Sequence, residues 1–237
     1  MFFSFKKSYK TSGLLEGFTD WHSHILPGVD DGIKTMEEAV AVLEYYESLG
    51  MEEVWLTPHI MEDIPNTSDN LRKGYDTLCR NYKGKIRLHL AAEYMLDTLF
   101  IDRLGKGDIL TYDKSGKQIL VETSYVQAPY GFHNILQDMK EAGFIPVLAH
   151  PERYRYMNWN DYQTLHSQGI RFQLNIMSLI GAYGPAAQSK ASGLLEEGFY
   201  TYSGTDVHSL ASATLLMEKK SLQKSKIELL ENLLYQS

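Results

Sequence analysis

Residues 18–32, FTDWHSHILPGVDDG, place two histidines two positions apart beside three aspartates. On a strand, residues i and i+2 point to the same side, so His22 and His24 would present two ring nitrogens to one point. Burying two imidazoles without partners is costly, and a metal ion is the commonest partner for a neutral pair. Taken alone, the pair also fits one buried histidine bonded to backbone and one at the surface. It is not alone, because the later apolar runs end in further ligand types. LTPHI ends in His59, LAAEY in Glu93, LVETS in Glu122, VLAHPER in His150, and YSGTDVH in Asp206 and His208. Asp206 and His208 repeat the i, i+2 spacing, and the loop PGVDDG adds Asp30 and Asp31, of which Asp31 is taken as the ligand. Five imidazoles and four carboxylates exceed what one ion needs, so two or three ions sharing carboxylates are expected. Mixed nitrogen and oxygen donors suit manganese, iron or zinc, whereas calcium would want fewer imidazoles.

Such residues need elements that bring their ends together. TMEEAVAVLEYYESLG reads as a helix: Thr35 caps it, Glu38 completes a capping box, Met36, Ala39, Val40 and Leu43 share a face, and Gly50 ends it. Strand-like runs fall at 53–60, 86–95, 118–124, 145–150, 171–176 and 199–206, mostly separated by helical stretches such as DNLRKGYDTLCRNY and HNILQDMKEAG. That alternation predicts an α/β fold with a parallel sheet, and about seven units favour a closed or nearly closed barrel, whose strand ends gather on one face. In GDILTYDKSGKQILVE the turn DKSGK breaks the rhythm, and a β-hairpin is expected to replace one crossover there. Residues 1–17 read as an N-terminal arm and 18–237 as one domain.

Composition narrows the function classes. The 237 residues carry a net charge of −7, with 43% hydrophobic and 22% charged residues, ordinary values for a globular protein. An acidic chain argues against nonspecific nucleic-acid binding, which needs a basic surface. The start, MFFSFKKSYK, does not read as a secretory signal, and no apolar run approaches membrane-spanning length. The single cysteine, Cys79, cannot form an internal disulfide, which fits a reducing cytoplasm.

DWHSHILPGVDDG, TPHI, the glutamate of AAEYML, VETS, AHPERY and SGTDVHS, in that order from about Asp20 to Ser209, resemble the polymerase and histidinol phosphatase (PHP) superfamily. Within it they are similar to the manganese-dependent bacterial protein tyrosine phosphatases of capsule and exopolysaccharide synthesis. The resemblance implies a distorted TIM-like (β/α)7 barrel with a trinuclear centre. It assigns His22, His24, Glu93 and Asp206 to a first ion, Glu93, Glu122 and His150 to a second, and Asp31, His59 and His208 to the third. Asp31 stands where many members of the wider superfamily have histidine, which favours the tyrosine phosphatase branch. Arg153 would clamp the phosphate. Members carry another arginine shortly after the D-x-H motif; here the run is HSLASATL, leaving Arg153 and the metals to orient the phosphate.

The expected chemistry is attack of a metal-bound hydroxide on phosphorus in line, with the metals and Arg153 neutralising the equatorial oxygens. The substrate is expected to be a phosphotyrosine protein, a tyrosine kinase of polysaccharide export. His133, in APYGFHN, is the candidate proton donor to the leaving phenolate, against the alternative of a surface histidine without that role. Thiolate phosphatases use Cys-x5-Arg, but Lys85 stands six residues after Cys79. No phosphate loop, dinucleotide turn or nucleophile elbow is present. Aromatics in ERYRYMNW and FYTYSG would either cover barrel ends or wall a slot for a tyrosine ring, and Tyr235 is a possible phosphorylation site. Two other functions remain at this stage: a small-molecule phosphomonoesterase such as a histidinol phosphatase, and a non-catalytic regulatory protein with structural metals.

Overall fold

The computed structural model describes residues 6–234, so Tyr235 lies outside the described residues. In chain order the elements are α1 (Tyr9–Ser12), β1 (Thr19–Ser23), α2 (Met36–Ser48), β2 (Glu53–Leu56), β3 (His59–Ile60), α3 (Ser68–Asn81), β4 (Arg87–Leu90), β5 (Glu93–Met95), α4 (Thr98–Lys106), β6 (Gln118–Glu122) and α5 (Phe132–Glu141). The remainder are β7 (Ile145–Ala149), a single 3-10 turn (Pro151–Arg153), α6 (Trp159–Ser167), β8 (Arg171–Asn175), α7 (Ile176–Leu179), α8 (Gly184–Glu196), β9 (Tyr200–Gly204), α9 (Leu210–Glu218) and α10 (Lys224–Leu234).

Every strand pair is parallel. One sheet runs β1-β2-β4 and the other β3-β5-β6-β7-β8-β9. Two of the runs expected as single strands are interrupted, β2/β3 at Thr57-Pro58 and β4/β5 at Ala91-Ala92, so nine short strands make seven staves. Proline cannot donate to a ladder, which accounts for the first break. The ring closes between β9 and β1, where Asp206 N–H donates to His22 O at 2.7 Å and His24 N–H to Val207 O at 3.0 Å. Asp20 joins the same edges: its carboxylate accepts the backbone N–H of Thr205 at 2.8 Å and its hydroxyl at 2.7 Å. Gly204 permits the close approach, since a Cβ there would lie 2.5 Å from His22 Cβ. The architecture is the seven-stave α/β barrel expected.

The interior below the strand ends is filled by aromatics. Trp21 stacks on Trp55 with centroids 5.3 Å apart and meets Tyr202 at 4.5 Å and Tyr112 at 5.6 Å. Outside the staves, Val54, Leu56, Ile119, Val121, Leu148, Phe172 and Leu174 join the large core beneath the helices. Tyr9, Leu14 and Leu15, within the segment read as an arm, are buried in that core, and the Tyr9 hydroxyl donates to Ile176 O at 2.5 Å.

Two local expectations are corrected. The β5-to-β6 crossover contains a helix, α4, and DKSGK is a turn without a hairpin. The Asp113 carboxylate accepts the N–H groups of Lys117 and Gln118 at 2.9 and 3.0 Å, so a side chain takes donors that a second strand would have used. On α2, Thr35 accepts Glu38 N–H at 3.2 Å, but Glu38 does not close the box. Its Oε1 accepts the N–H of Leu210 at 3.1 Å, at the start of α9, where a free donor and the positive helix end attract a carboxylate.

Candidate metal centre

The site begins with an irregularity in β1. Asp20 pairs with Val54 and Ser23 with Leu56, so three steps of β1 oppose two of β2, a bulge at Trp21-His22. It lets Trp21 join the aromatic filling while His22 and His24 converge, their Nε2 atoms 3.2 Å apart and both side chains buried. The loop after β1 folds back over His24 because residue 32 is glycine: a Cβ there would lie 2.3 Å from His24 O.

Glu93 lies at the centre. Its Oε2 is 3.3 Å from His22 Nε2, 3.4 Å from His24 Nε2 and 3.2 Å from His59 Nδ1, while Oε1 meets His150 Nε2 at 2.9 Å. Asp206 Oδ1 is 3.3 Å from His24 Nε2 and 3.6 Å from His22 Nε2. Glu122 Oε1 is 3.1 Å from His59 Nδ1. Asp31 Oδ1 sits 3.5 Å from both His59 Nε2 and His208 Nε2, and its side chain is 65% exposed, at the mouth. All nine residues read as ligands from the sequence are thus assembled. Four sets have ligand atoms mutually within 4.8 Å: His24, Asp31, His59 and His208; His22, His150 and Asp206; His22, His24 and Glu93; and His59, Glu93 and Glu122. In the last set His59 stands where the resemblance put His150, whose Nε2 is 3.9 Å from Glu122 Oε2.

Three imidazoles are held in one tautomer by partners behind them. His22 Nδ1–H donates to Gln173 Oε1 at 2.9 Å, an amide oxygen that can only accept. His24 Nδ1–H donates to Asp30 Oδ2 at 2.8 Å, and His208 Nδ1–H to Asp206 O at 2.8 Å. Each leaves an Nε2 lone pair directed at the cluster, as metal-ligating histidines require. Asp30 is further fixed by the N–H groups of Gly32 and His59.

The residues fit divalent ions on their own evidence. Glu93 Oε2, His59 Nδ1 and His150 Nδ1 are buried without a hydrogen-bond partner, an arrangement that is costly unless another group satisfies them. In the bare polypeptide burial opposes charge on His22, yet Glu93 and Asp206 push it up to about 9. Burial opposes charge on His24 as well, and the surrounding carboxylates of Asp206, Asp30 and Glu93 outweigh it. Against their own burial, Glu93 and Asp206 are held well below the usual carboxylate range, above all by His22. The cavity therefore concentrates negative potential that favours cations. His150 and Asp206 are also, among the described residues, the two non-glycine residues with positive φ, 33° and 54°. For a histidine this costs roughly 1–2 kcal/mol, and it aims both side chains inward from the ends of β7 and β9.

Beside the cluster stands Arg153. Its Nη1 donates to Asp206 Oδ2 at 2.7 Å, and its guanidinium lies between the rings of Tyr125 and Tyr183, 4.3 and 4.2 Å from their centroids. The neighbouring Glu152 anchors the turn, accepting from Asn175 N, Ser178 Oγ and Tyr200 OH. Asn175 Nδ2 donates to Asp206 Oδ2 and to Tyr183 OH, each at 3.0 Å. His133 is exposed on α5, packed on Phe132, and takes no part in these contacts.

This arrangement can be compared with known proteins. The family model for capsular polysaccharide synthesis, CpsB/CapC, matches residues 18–228. The chain belongs to the CpsB/CapC family. This CpsB/CapC chain is 28% identical over 222 residues to the tyrosine-protein phosphatase CpsB of Streptococcus pneumoniae, covering 84% of this chain and 86% of that one. It is 27% identical over 197 residues to the tyrosine-protein phosphatase YwqE of Bacillus subtilis, covering 81% and 77%. In the solved structures, a chain from the study of YwqE and pneumococcal CpsB, described as metal-dependent tyrosine phosphatases, superposes with a TM-score of 0.76 at 23% identity, over 90% of this chain and 86% of that one. The superposition establishes the fold.

Asp30, Gln173, Asn175, Tyr125 and Tyr183 were not among the sequence candidates for ligation or phosphate binding. Gln173 and Asn175 carried a usable signal: two amides at i and i+2 in RFQLNI, the spacing that marked His22 and His24. Tyr125 and Tyr183 carried none, being single loop aromatics among sixteen tyrosines.

Proposed function

We propose that this chain is a metal-dependent protein-tyrosine phosphatase that acts in the cytoplasm on a tyrosine kinase of capsular or exopolysaccharide synthesis. One observation carries the reading: five imidazoles and the carboxylates of Glu93, Glu122, Asp206 and Asp31 converge beside a fixed guanidinium. The names of CpsB and YwqE and the description of the family support the substrate class. Among the described residues no helix is long and apolar enough to cross a membrane.

In this reading His22, His24, Glu93 and Asp206 hold a first ion, and Glu93 and Glu122 a second with His150 or His59. Asp31, His59 and His208 hold the third. The mixed nitrogen and oxygen donors suit manganese, iron and zinc alike, and manganese is favoured by the resemblance to manganese-dependent phosphatases. Bound divalent ions would supply Lewis acidity and bring the pKa of a water towards neutrality. Gln173, Asp30 and the Asp206 carbonyl keep three imidazoles in the ligating tautomer. Arg153 spends one nitrogen on Asp206, which leaves its other donors for the phosphoryl oxygens, where charge grows in the transition state. Tyr125 and Tyr183 hold the plane of that fork. The departing phenolate, with a pKa of about 10, needs less help than an alkoxide. His133 remains the candidate acid of the sequence, but its exposed place on α5 gives it no support, and His133→Ala is expected to leave kcat within about twofold.

The test is turnover by the purified protein with manganese. Phosphate should be released from a phosphotyrosyl peptide much faster than from histidinol phosphate. The opposite order would make the chain a small-molecule phosphomonoesterase. Hydrolysis of neither, with His22→Ala losing only stability, would leave a regulatory binding protein.

A further inference from the structure

Next to the cluster lies a cavity of about 330 Å³ whose apolar walls have no role in the metal centre or the phosphate clamp. Met177 and Ala182 line it from the α7–α8 region, Val207 from the segment after β9, and Ala213 and Leu216 from α9. Its lining is mainly apolar, yet Tyr183, Asp206 and His208 line it too, and all three belong to the site already described. Leu215, also on its wall, is 72% exposed. Apolar walls give water few hydrogen bonds, so filling them with carbon is favourable.

The contents of the cavity follow from what it adjoins. Tyr183 presents one ring to the Arg153 guanidinium at 4.2 Å and also forms part of the cavity wall. A phosphoryl group held by Arg153 would therefore have its ester substituent within reach of carbon walls. A flat aromatic ring gains from them, whereas a short alkyl ester covers little of the same surface. We propose that this cavity is the subsite for the aromatic ring of the substrate's phosphotyrosine, with Tyr183 the wall shared by ring and clamp. The proposal rests on the phosphatase reading and assigns the ring preference to α9 and the α7–α8 turn.

The experiment uses the full chain loaded with manganese. Ala182→Trp fills the cavity from an exposed position and Leu216→Ala removes part of a wall; neither residue belongs to the cluster or the clamp. For both variants kcat/KM is measured on phenyl phosphate, a phosphotyrosyl peptide and acetyl phosphate, and calorimetry compares benzylphosphonate with methylphosphonate. Both aryl substrates are expected to lose about tenfold, with acetyl phosphate within about twofold and the loss of affinity confined to benzylphosphonate. Equal losses on all three substrates, or none on the aryl pair, would overturn the proposal. So would a loss on the peptide alone, which would give the cavity to a neighbouring side chain. If the unsubstituted protein hydrolyses none of them, the phosphatase reading fails, while the phosphonate comparison still decides whether the cavity takes a ring.

Discussion

Asp30 and Asp31 are chain neighbours with opposite surroundings. Asp30 accepts from His24 Nδ1 and two backbone N–H groups, and against its burial these hold its carboxyl down to about 2. Asp31 faces two imidazoles from an exposed position. Asp30 is thus an ionised support behind His24, and Asp31, in the proposed centre, a ligand at the mouth. Asp30→Asn keeps the shape and removes the charge, so metal affinity measured by calorimetric titration is expected to fall about 10- to 100-fold without unfolding the protein. Arg153 is held by a carboxylate and two rings, so its replacement costs more than one charge. Arg153→Ala is expected to lower kcat/KM on a phosphotyrosyl peptide about 10²- to 10³-fold. Arg153→Lys should recover little of this, since an ammonium lacks the planar fork that the rings hold. Steady-state kinetics check both.

At the scale of elements, the joint between β1 and β9 carries the centre. Gly204 and His22 are in contact across it, and a methyl at position 204 would lie 2.6 Å from His22 N. Gly204→Ala is expected to destabilise the fold by roughly 1–3 kcal/mol and to reduce bound metal, read by thermal unfolding and elemental analysis. A second joint ties α3 to α4. The Asp108 carboxylate accepts from Ser68 at the start of α3 and from Arg103 near the end of α4. Ser68 is the main influence holding its folded-state pKa below the ordinary value, burial opposes it, and Arg103 adds to the lowering. A lowered folded value stabilises the protein above the unfolded value of about 3.9, and that stabilisation is lost as pH falls through the folded one. Asp108→Asn should therefore unfold at a lower temperature than the parent at neutral pH, with the gap closing in acid; a gap independent of pH would refute the linkage.

For the whole molecule, six of the seven staves bring candidate ligands to one rim, so in the proposed reading metal and fold are coupled. Buried Glu93, Glu122 and Asp206 repel one another unless cations or charged imidazoles lie between them. Chelation is expected to abolish hydrolysis and to lower the unfolding temperature, the shift depending on metal concentration as linkage requires. A thiol-alkylating reagent should do neither, because Cys79 is exposed on α3; inactivation with the metals retained would contradict a metal-centred site.

Much of this was legible along the chain. The period of two in a strand and the placing of polar residues where apolar runs end are local properties, and they mark His22, His24, His59, Glu93, Glu122, His150, Asp206 and His208, which the fold brings together. The seven-unit barrel followed from strand and helix alternation, because a parallel strand requires a crossover. Where a side chain could replace backbone pairing, local expectation failed: Asp113 satisfied its own turn instead of a hairpin, and Glu38 capped α9 instead of α2. The tertiary structure alone decided which groups stand behind the ligands. The bonds from His22 to Gln173 and from Asn175 to Asp206, and the two tyrosine rings on Arg153, join residues about 30 to 150 positions apart. Periodicity describes which face a residue takes on its own element; which distant residue meets it there is determined by the packing of the closed barrel.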